Sequence, residues 1–194
     1  FRSDYIAANI DAPCVVLHYP SEGEFIREIS THRFDVIGIS FVVATYHKVR
    51  RMAALVRWHC PGAQIVLGGY GTVLSDAELA PYSDFICREE GIGYMRRLLS
   101  EPDSGNIRHP YAPIESPRIF SYRLPTKVAH ITAGLGCPNG CDFCCTSHYF
   151  KRKYVPFIRS GRELYDTIAR MDKSAESAGD RPRGFFFIDE DFFI

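Results

Sequence analysis

Four of the seven cysteines in this 194-residue chain fall within nine residues. They are Cys137, Cys141, Cys144 and Cys145, and the first three follow a Cys-x-x-x-Cys-x-x-Cys spacing. Clustered thiolates on one loop are typical ligands of iron–sulfur clusters and of zinc. Three thiolates would leave one iron of a four-iron cluster open to a substrate. The spacing therefore predicts a metal site, with a [4Fe–4S] cluster as its first candidate.

Two alternatives use the same loop. In a closed zinc site the thiolates would be joined by His148 or His130, although zinc sites usually come as paired Cys-x-x-Cys knuckles and the chain has no second pair. In a fully ligated cluster Cys145 would be the fourth ligand, but adjacent residues rarely aim both side chains at one centre. A zinc-stabilised binding module without redox chemistry stays open as the alternative function.

The residues around the cysteines suit a loop that wraps closely around a ligand. Gly134, Gly136 and Gly140 supply backbone freedom, and Pro138 restricts the turn. The apolar run 127–132 predicts a strand directly before the loop. The cysteines would then follow the carboxyl end of a strand, which is where α/β folds carry their active sites.

Strands and helices alternate along the predicted fold. Strands are expected at 14–18, 35–41, 64–69, 84–87, 127–132 and 184–188, and helices at 22–30, 46–58, 90–99 and after a capping box at 160–163. This alternation predicts an α/β protein with a parallel, doubly wound sheet. Residues 101–126 contain five prolines and no periodicity. We therefore predict a domain at 1–100, a Pro-rich linker at 101–126 and a second domain at 127–194.

Composition narrows the class of protein. Lys plus Arg (23) balance Asp plus Glu (23), so no global field attracts nucleic acid or an anionic membrane. Without a signal peptide or a long apolar run, we expect a soluble, cytoplasmic protein with no nucleic-acid or membrane partner.

An odd cysteine count argues against a disulfide framework, and Cys14 and Cys87, in strand-like runs, are expected to be buried. The ends at Phe1 and Ile194 indicate a fragment cut at both ends.

The cysteine loop resembles the signature of the radical S-adenosylmethionine (SAM) superfamily, and Phe143, just before the third cysteine, matches that pattern. The resemblance implies that SAM binds the open iron and is cleaved reductively to methionine and a 5′-deoxyadenosyl radical. It implies an electron donor as a partner and an unidentified small molecule or peptide as substrate, and it indicates no particular catalytic residue. It also implies that Phe143 contacts SAM. It implies a partial (β/α) barrel that begins here, with Asp189 and Asp191 at a strand end facing SAM or the substrate.

The N-terminal half resembles the Rossmann-like cobalamin-binding domain found ahead of many radical SAM domains. Ser40 and Thr45 match the strand and helix entry that line the cobalamin tail, Gly68 and Gly69 match the glycine pair beside it, and 84–91 resembles the closing segment. The Asp-x-His-x-x-Gly motif that supplies an axial histidine in some cobalamin proteins is absent. The resemblance implies that cobalamin is a further cofactor and that methyl transfer is among the possible reactions. The alternative is that this half is a doubly wound scaffold that binds no ligand.

Overall fold

The structure, a computed structural model, describes residues 3–102, 105–111, 113–115, 118–119, 122–123, 127–177, 179, 182 and 184–189. The chain divides into two compact units. One is Ile10–Asp103, and the other joins Phe1–Asn9 to Ser104–Ile194. Both combine helices with small sheets that contain parallel strands, so the predicted α/β class is confirmed at that level.

The unit Ile10–Asp103 is organised on a parallel sheet with the strand order β1-β2-β3. After α1 (Ser3–Asn9), its elements are α2 (Glu22–Thr31), β1 (Val36–Ser40), α3 (Tyr46–His59), β2 (Gln64–Gly68), α4 (Asp76–Leu79), β3 (Phe85–Ile86) and α5 (Gly91–Leu98). The register pairs Val36 with Gln64 and Ser40 with Gly68. Because the strands are parallel, their carboxyl ends form one edge of the sheet, where Ser40 and Gly68 lie side by side.

Helix α2 shows how local signals and burial cooperate in this unit. The Ser21 hydroxyl accepts a hydrogen bond from the Glu24 N–H (3.3 Å), and the Glu24 carboxylate accepts one from the Ser21 N–H (2.8 Å). This reciprocal capping box starts the helix. One face of the helix then buries Phe25 and Ile29 in a core shared with Ile65. Burying each such side chain stabilises the fold by about 1.5–3 kcal/mol.

The second unit is organised on β7. Its elements besides α1 are β4 (Pro113–Glu115), β5 (Arg118–Ile119), β6 (Tyr122–Arg123), β7 (Lys127–Thr132), β8 (Gly134–Leu135), α6 (Cys145–Tyr149), β9 (Val155–Pro156), α7 (Gly161–Ser177) and β10 (Gly184–Ile188). The sheet order is β10-β7-β4, with β10 parallel and β4 antiparallel to β7. The pairing of Ile188 with Thr132 brings the carboxyl ends of β10 and β7 to the same edge.

Helix α7 begins at the predicted capping box. The Ser160 hydroxyl accepts a hydrogen bond from the Glu163 N–H (3.1 Å), while the Glu163 carboxylate accepts one from the Arg159 N–H (2.8 Å). The helix buries Thr167 and Met171, four residues apart on one face. Among the described residues, no helix is long and apolar enough to cross a membrane.

Two features of the second unit differ from the predicted division of the chain. Residues 3–9 fall within the predicted domain 1–100, but they form helix α1 in the second unit: the Tyr5 hydroxyl accepts a hydrogen bond from the Thr132 N–H (2.8 Å), and Asn9 bonds both backbone groups of Arg108. Within the predicted linker, Pro113 opens β4. Proline cannot donate to a ladder, yet the first residue of an edge strand tolerates it. The prolines therefore interrupt the apolar pattern of the sequence but do not prevent β4 from forming.

The prediction of a buried strand at 14–18 is wrong. These residues adopt no regular structure, Cys14 is exposed, and 55% of Val15 is exposed. Apolar residues favour a strand only where a neighbouring strand pairs with them. The backbone before this segment is instead held by the Glu101 carboxylate, which accepts hydrogen bonds from the N–H groups of residues 11 and 12. Cys87 is buried, as predicted.

Candidate metal centre

The cysteine loop leaves the sheet at the carboxyl end of β7 and returns to it through β9. Strands β8 and β9 pair antiparallel, with Gly134 opposite Pro156 and Leu135 opposite Val155. The Ala133 carbonyl also accepts hydrogen bonds from the two N–H groups that follow β9, at 2.8 and 2.9 Å. These contacts hold the two ends of the loop together at its base.

Glycines let the loop pack against its own return segment. Gly136 has φ of +86°, and a Cβ there would lie 2.1 Å from the Lys153 carbonyl oxygen. A Cβ on Gly134 would lie 2.3 Å from the ring of Tyr154. Gly140 has φ of +71°, and its N–H donates to the Ser147 hydroxyl (2.9 Å). At Gly136 and Gly140 the left-handed backbone favours glycine, so the predicted need for backbone freedom is met at these two residues.

The three predicted ligands differ in exposure. Cys137 is 7% exposed, Cys144 is half-buried and Cys141 is exposed. A turn links the last two, because the Cys144 N–H donates to the Cys141 carbonyl (3.0 Å). None of the three is in a disulfide, nor is the exposed Cys145 at the start of α6. The donor set suits an iron–sulfur cluster, since thiolates from one glycine-containing loop are the ligands that such a cluster uses.

The thiols are on one loop but are not gathered into a closed site. In the described part of the chain, no group of three or more His, Cys, Asp and Glu side chains is close enough to hold a metal ion. Of the histidines considered for zinc, His148 is exposed on α6, and the His130 ring lies within β7, 5.6 Å from the ring of Phe186. Binding a metal would therefore require the loop to draw its cysteine side chains together.

Phe143, predicted to contact SAM, is exposed over 92% of its surface. It lies between the exposed Cys141 and the half-buried Cys144. An aromatic ring held in water costs free energy until another surface covers it, because apolar area in contact with water is unfavourable. The ring offers a flat apolar face directly beside the candidate ligands.

Asp189 lies at the same edge of the sheet as the base of the loop. It follows β10, whose last carbonyl, on Ile188, accepts a hydrogen bond from the Ala133 N–H (3.0 Å). The Asp189 carboxylate in turn accepts a hydrogen bond from the Tyr154 hydroxyl (3.2 Å). The structure thus joins this predicted residue to the loop that carries the cysteines. Asp191 is outside the described residues.

Sequence reasoning missed Tyr154. Its hydroxyl meets Asp189, and its ring fills the space over Gly134, so this side chain contacts both the start of the loop and the next strand end. In the sequence it follows three basic residues, Lys151, Arg152 and Lys153. Nothing in the spacing indicated its contacts, which depend on the pairing of β7 with β10.

The residues proposed for cobalamin gather at the carboxyl edge of the other sheet. Gly69 has φ of +83°, and a Cβ there would lie 2.8 Å from the Phe41 carbonyl and 2.9 Å from the Ser40 hydroxyl. Ser40 pairs with Gly68. Thr45 precedes α3 as predicted, but its hydroxyl donates to the Val42 carbonyl (2.9 Å) and makes no capping hydrogen bond. Backbone without side-chain cover lets a ligand approach closely.

The segment compared with a closing motif, residues 84–91, has structural partners in this unit. The Asp84 carboxylate accepts hydrogen bonds from the Ile65 N–H (2.7 Å) and from Arg57 (2.8 Å). Glu90 caps α5 by accepting hydrogen bonds from the N–H groups of Ile92 and Gly93. These contacts hold the start of β2 and the start of α5. Asp84 and Glu90 therefore have structural roles that require no ligand.

Cysteine reactivity provides a first test of these environments. Burial raises the pKa of the Cys87 thiol to about 11, so at pH 8 roughly one Cys87 in a thousand is a thiolate, the form that reacts. We expect iodoacetamide to modify the exposed Cys145 quickly and to leave Cys87 unmodified, as measured by mass spectrometry of tryptic peptides. Equal rates at the two residues would contradict the burial of Cys87.

Comparisons of the chain with protein-family models, with curated proteins and with solved structures found no match.

Proposed function

We propose that this protein is a radical SAM enzyme in which Cys137, Cys141 and Cys144 hold a [4Fe–4S] cluster. The observation that carries the proposal is a glycine-containing loop at the carboxyl end of β7 that carries three cysteines outside any disulfide and is fastened at its base by the β8–β9 pair. When bound, the cluster would supply the electron that cleaves SAM at the iron left without a protein ligand. The substrate is a small molecule or a peptide.

The chain's own residues have separate tasks in this proposal. Cys137, already buried, would anchor the cluster to the body of the unit, while the exposed Cys141 would swing in to close the site. Phe143 would pack on bound SAM and lose its contact with water. Asp189, held by the Tyr154 hydroxyl, would accept hydrogen bonds from SAM or the substrate at the same strand edge.

The proposal extends to the fold of each unit. The parallel pair β7–β10, with the loop after β7, supports the start of a radical SAM barrel in the second unit. The β1-β2-β3 sheet with Ser40, Gly68 and Gly69 at its carboxyl edge supports a doubly wound, cobalamin-binding type of unit. Cobalamin would then carry the methyl group in a methyl-transfer reaction.

Metal analysis of protein purified without oxygen tests the proposal. We expect about four irons and four sulfides per chain, from the three-cysteine ligand count of an open [4Fe–4S] site, and an EPR signal of the reduced protein that changes when SAM is added. One zinc per chain with no uptake of iron would overturn the proposal in favour of a zinc-stabilised module. If the protein binds iron but its EPR signal does not change when SAM is added, the proposal is also overturned.

The hydrogen bond between Tyr154 and Asp189 gives a further prediction. In Tyr154→Phe the carboxylate loses its donor, so we expect a loss of about 1 kcal/mol in the free energy of unfolding, the usual value of one hydrogen bond. In the cluster-loaded protein we expect SAM binding to weaken by at most about fivefold, the equivalent of that energy, because the carboxylate is no longer held in place; the measurement is a titration of SAM followed by EPR. Tyr165→Phe is the control, because Tyr165 is 66% exposed on α7. Equal unfolding free energies and equal SAM affinities in the two variants would refute a role of the Tyr154–Asp189 hydrogen bond.

A further inference from the structure

A cleft of about 530 Å³ lies in the second unit, and none of the cysteines lines it. Its walls are the segment 105–111, the residues after β9, and one face of α7. The α7 residues that line it include Glu163, Thr167, Arg170 and Ser174, which recur at helical spacing. Pockets of 300–1,000 Å³ are the usual size for small ligands, so the cleft is large enough for a metabolite.

The lining combines an apolar floor with cationic walls. Phe157 and Met171 are each 4% exposed and form the floor. Arg108, Arg159 and Arg170 line the walls. Glu163 is the one carboxylate among the described lining residues, and it already accepts a hydrogen bond from the Arg159 N–H (2.8 Å). The excess of positive charge favours an anion.

Two of these guanidinium groups are available to a ligand. In the described part of the chain, neither Arg159 nor Arg170 forms an ion pair, whereas Arg162 on the same helix pairs with Asp166 (3.3 Å). Arg170 donates one hydrogen bond to the Thr167 hydroxyl (3.1 Å), and its other N–H donors have no partner among the described residues. That contact holds the side chain along the helix and lowers the cost of ordering it on binding.

His109 adds a neutral polar atom to the same cleft. Its Nδ1 lies 3.3 Å from the Tyr5 hydroxyl, which holds the ring in the lining of the cleft. Burial lowers the pKa of this imidazole. The ring therefore favours its neutral form, and the arginines supply the positive charge of the lining.

We propose that this cleft binds a small organic oxyanion, with Arg159 and Arg170 pairing its phosphate or carboxylate group and the floor of Phe157 and Met171 taking its carbon part. Guanidinium forks match both oxyanions, and these charge-assisted hydrogen bonds are the strong ones. No cysteine lines the cleft, so this proposal does not require that the chain holds a cluster.

The test is a titration of the full chain followed by two-dimensional NMR, with pyrophosphate in one arm and citrate in the other, at constant ionic strength set with sodium chloride. We expect saturable shifts of the Thr167 and Ser174 amide signals in the arm whose anion fits. A response to pyrophosphate alone identifies a phosphate site, and a response to citrate alone identifies a carboxylate site. Shifts that never saturate, or that chloride reproduces, would overturn the proposal.

Matched arginine variants complete the test. Arg170→Gln should weaken binding about tenfold or more, because a charge-assisted pair is lost. Arg162→Gln should leave it unchanged, since that side chain pairs with Asp166 outside the cleft. Circular dichroism checks that both variants fold, and Arg159→Gln replaces Arg170→Gln if the latter does not. Equal affinity in the cleft variant and the control would overturn the assignment.

Discussion

Cys141→Ala is expected to abolish iron retention and the response of the reduced EPR signal to SAM. The substitution removes one of three protein ligands. Loss of an outer-shell hydrogen bond to a metal ligand already costs about 10–100-fold in affinity, so loss of a ligand should cost at least that. Cys141 is exposed, so the shorter side chain leaves no cavity and the fold should survive. The measurements are iron per chain after anaerobic reconstitution and EPR with and without SAM.

Cys145→Ala is the matched control for this experiment. Cys145 is also an exposed free cysteine, and it lies one residue after Cys144. We expect this variant to keep its iron and its response to SAM. Loss of iron in Cys145→Ala as well would indicate a fully ligated four-cysteine cluster. Full iron content in Cys141→Ala would refute the proposed ligand set.

Gly136→Ala is expected to have the largest effect on the loop's stability. A non-glycine residue at φ of +86° costs about 1–3 kcal/mol in backbone strain. The new methyl group would also meet the Lys153 carbonyl oxygen at 2.1 Å, and a backbone oxygen cannot move aside as a side chain can. The loop would detach from its return segment. We expect lower protection of the Phe157 amide in hydrogen exchange, and loss of iron in the reconstituted protein.

Gly161→Ala separates this effect from the general cost of adding a methyl group. Gly161 begins α7, and a Cβ there meets nothing within 4 Å. Alanine is the better helix former, so this variant should be as stable as the parent protein or slightly more stable in urea unfolding. Equal protection of the Phe157 amide in the two variants would show that Gly136 does not hold the loop closed.

The sequence predicted those elements whose apolar pattern agrees with their final neighbours. The run 35–41 is β-branched and became β1, because β2 lies parallel beside it. Residues 14–18 are equally apolar but found no strand to pair with, and Cys14 is exposed. Residue types alone do not distinguish the two cases, since strand formation depends on a partner distant in sequence. Helix α1 was missed because seven residues carry little periodic signal.

The candidate site was predictable where backbone chemistry is local. Gly134, Gly136 and Gly140 were expected to supply backbone freedom, and the last two have positive φ whereas Gly134 does not. Asp189 was expected at a strand end, and it is there. Tyr154 was not predictable, because its contact with Asp189 spans 35 residues and follows from the register of β10 on β7. The pairing of distant strands, which the periodicity of the sequence does not show, determines this contact.

The attachment of α1 to β7 bears on how the protein folds during synthesis. Tyr5 and its partner Thr132 are 127 residues apart, so at about 5–20 residues per second the ribosome needs roughly 6–25 s to make the second after the first. A seven-residue helix is not stable alone. Residues 10–103 can complete their own sheet during that interval. Helix α1 is made before residues 10–103, but its partner strand β7 is complete only after them, so α1 would fold later than the unit that follows it in the chain.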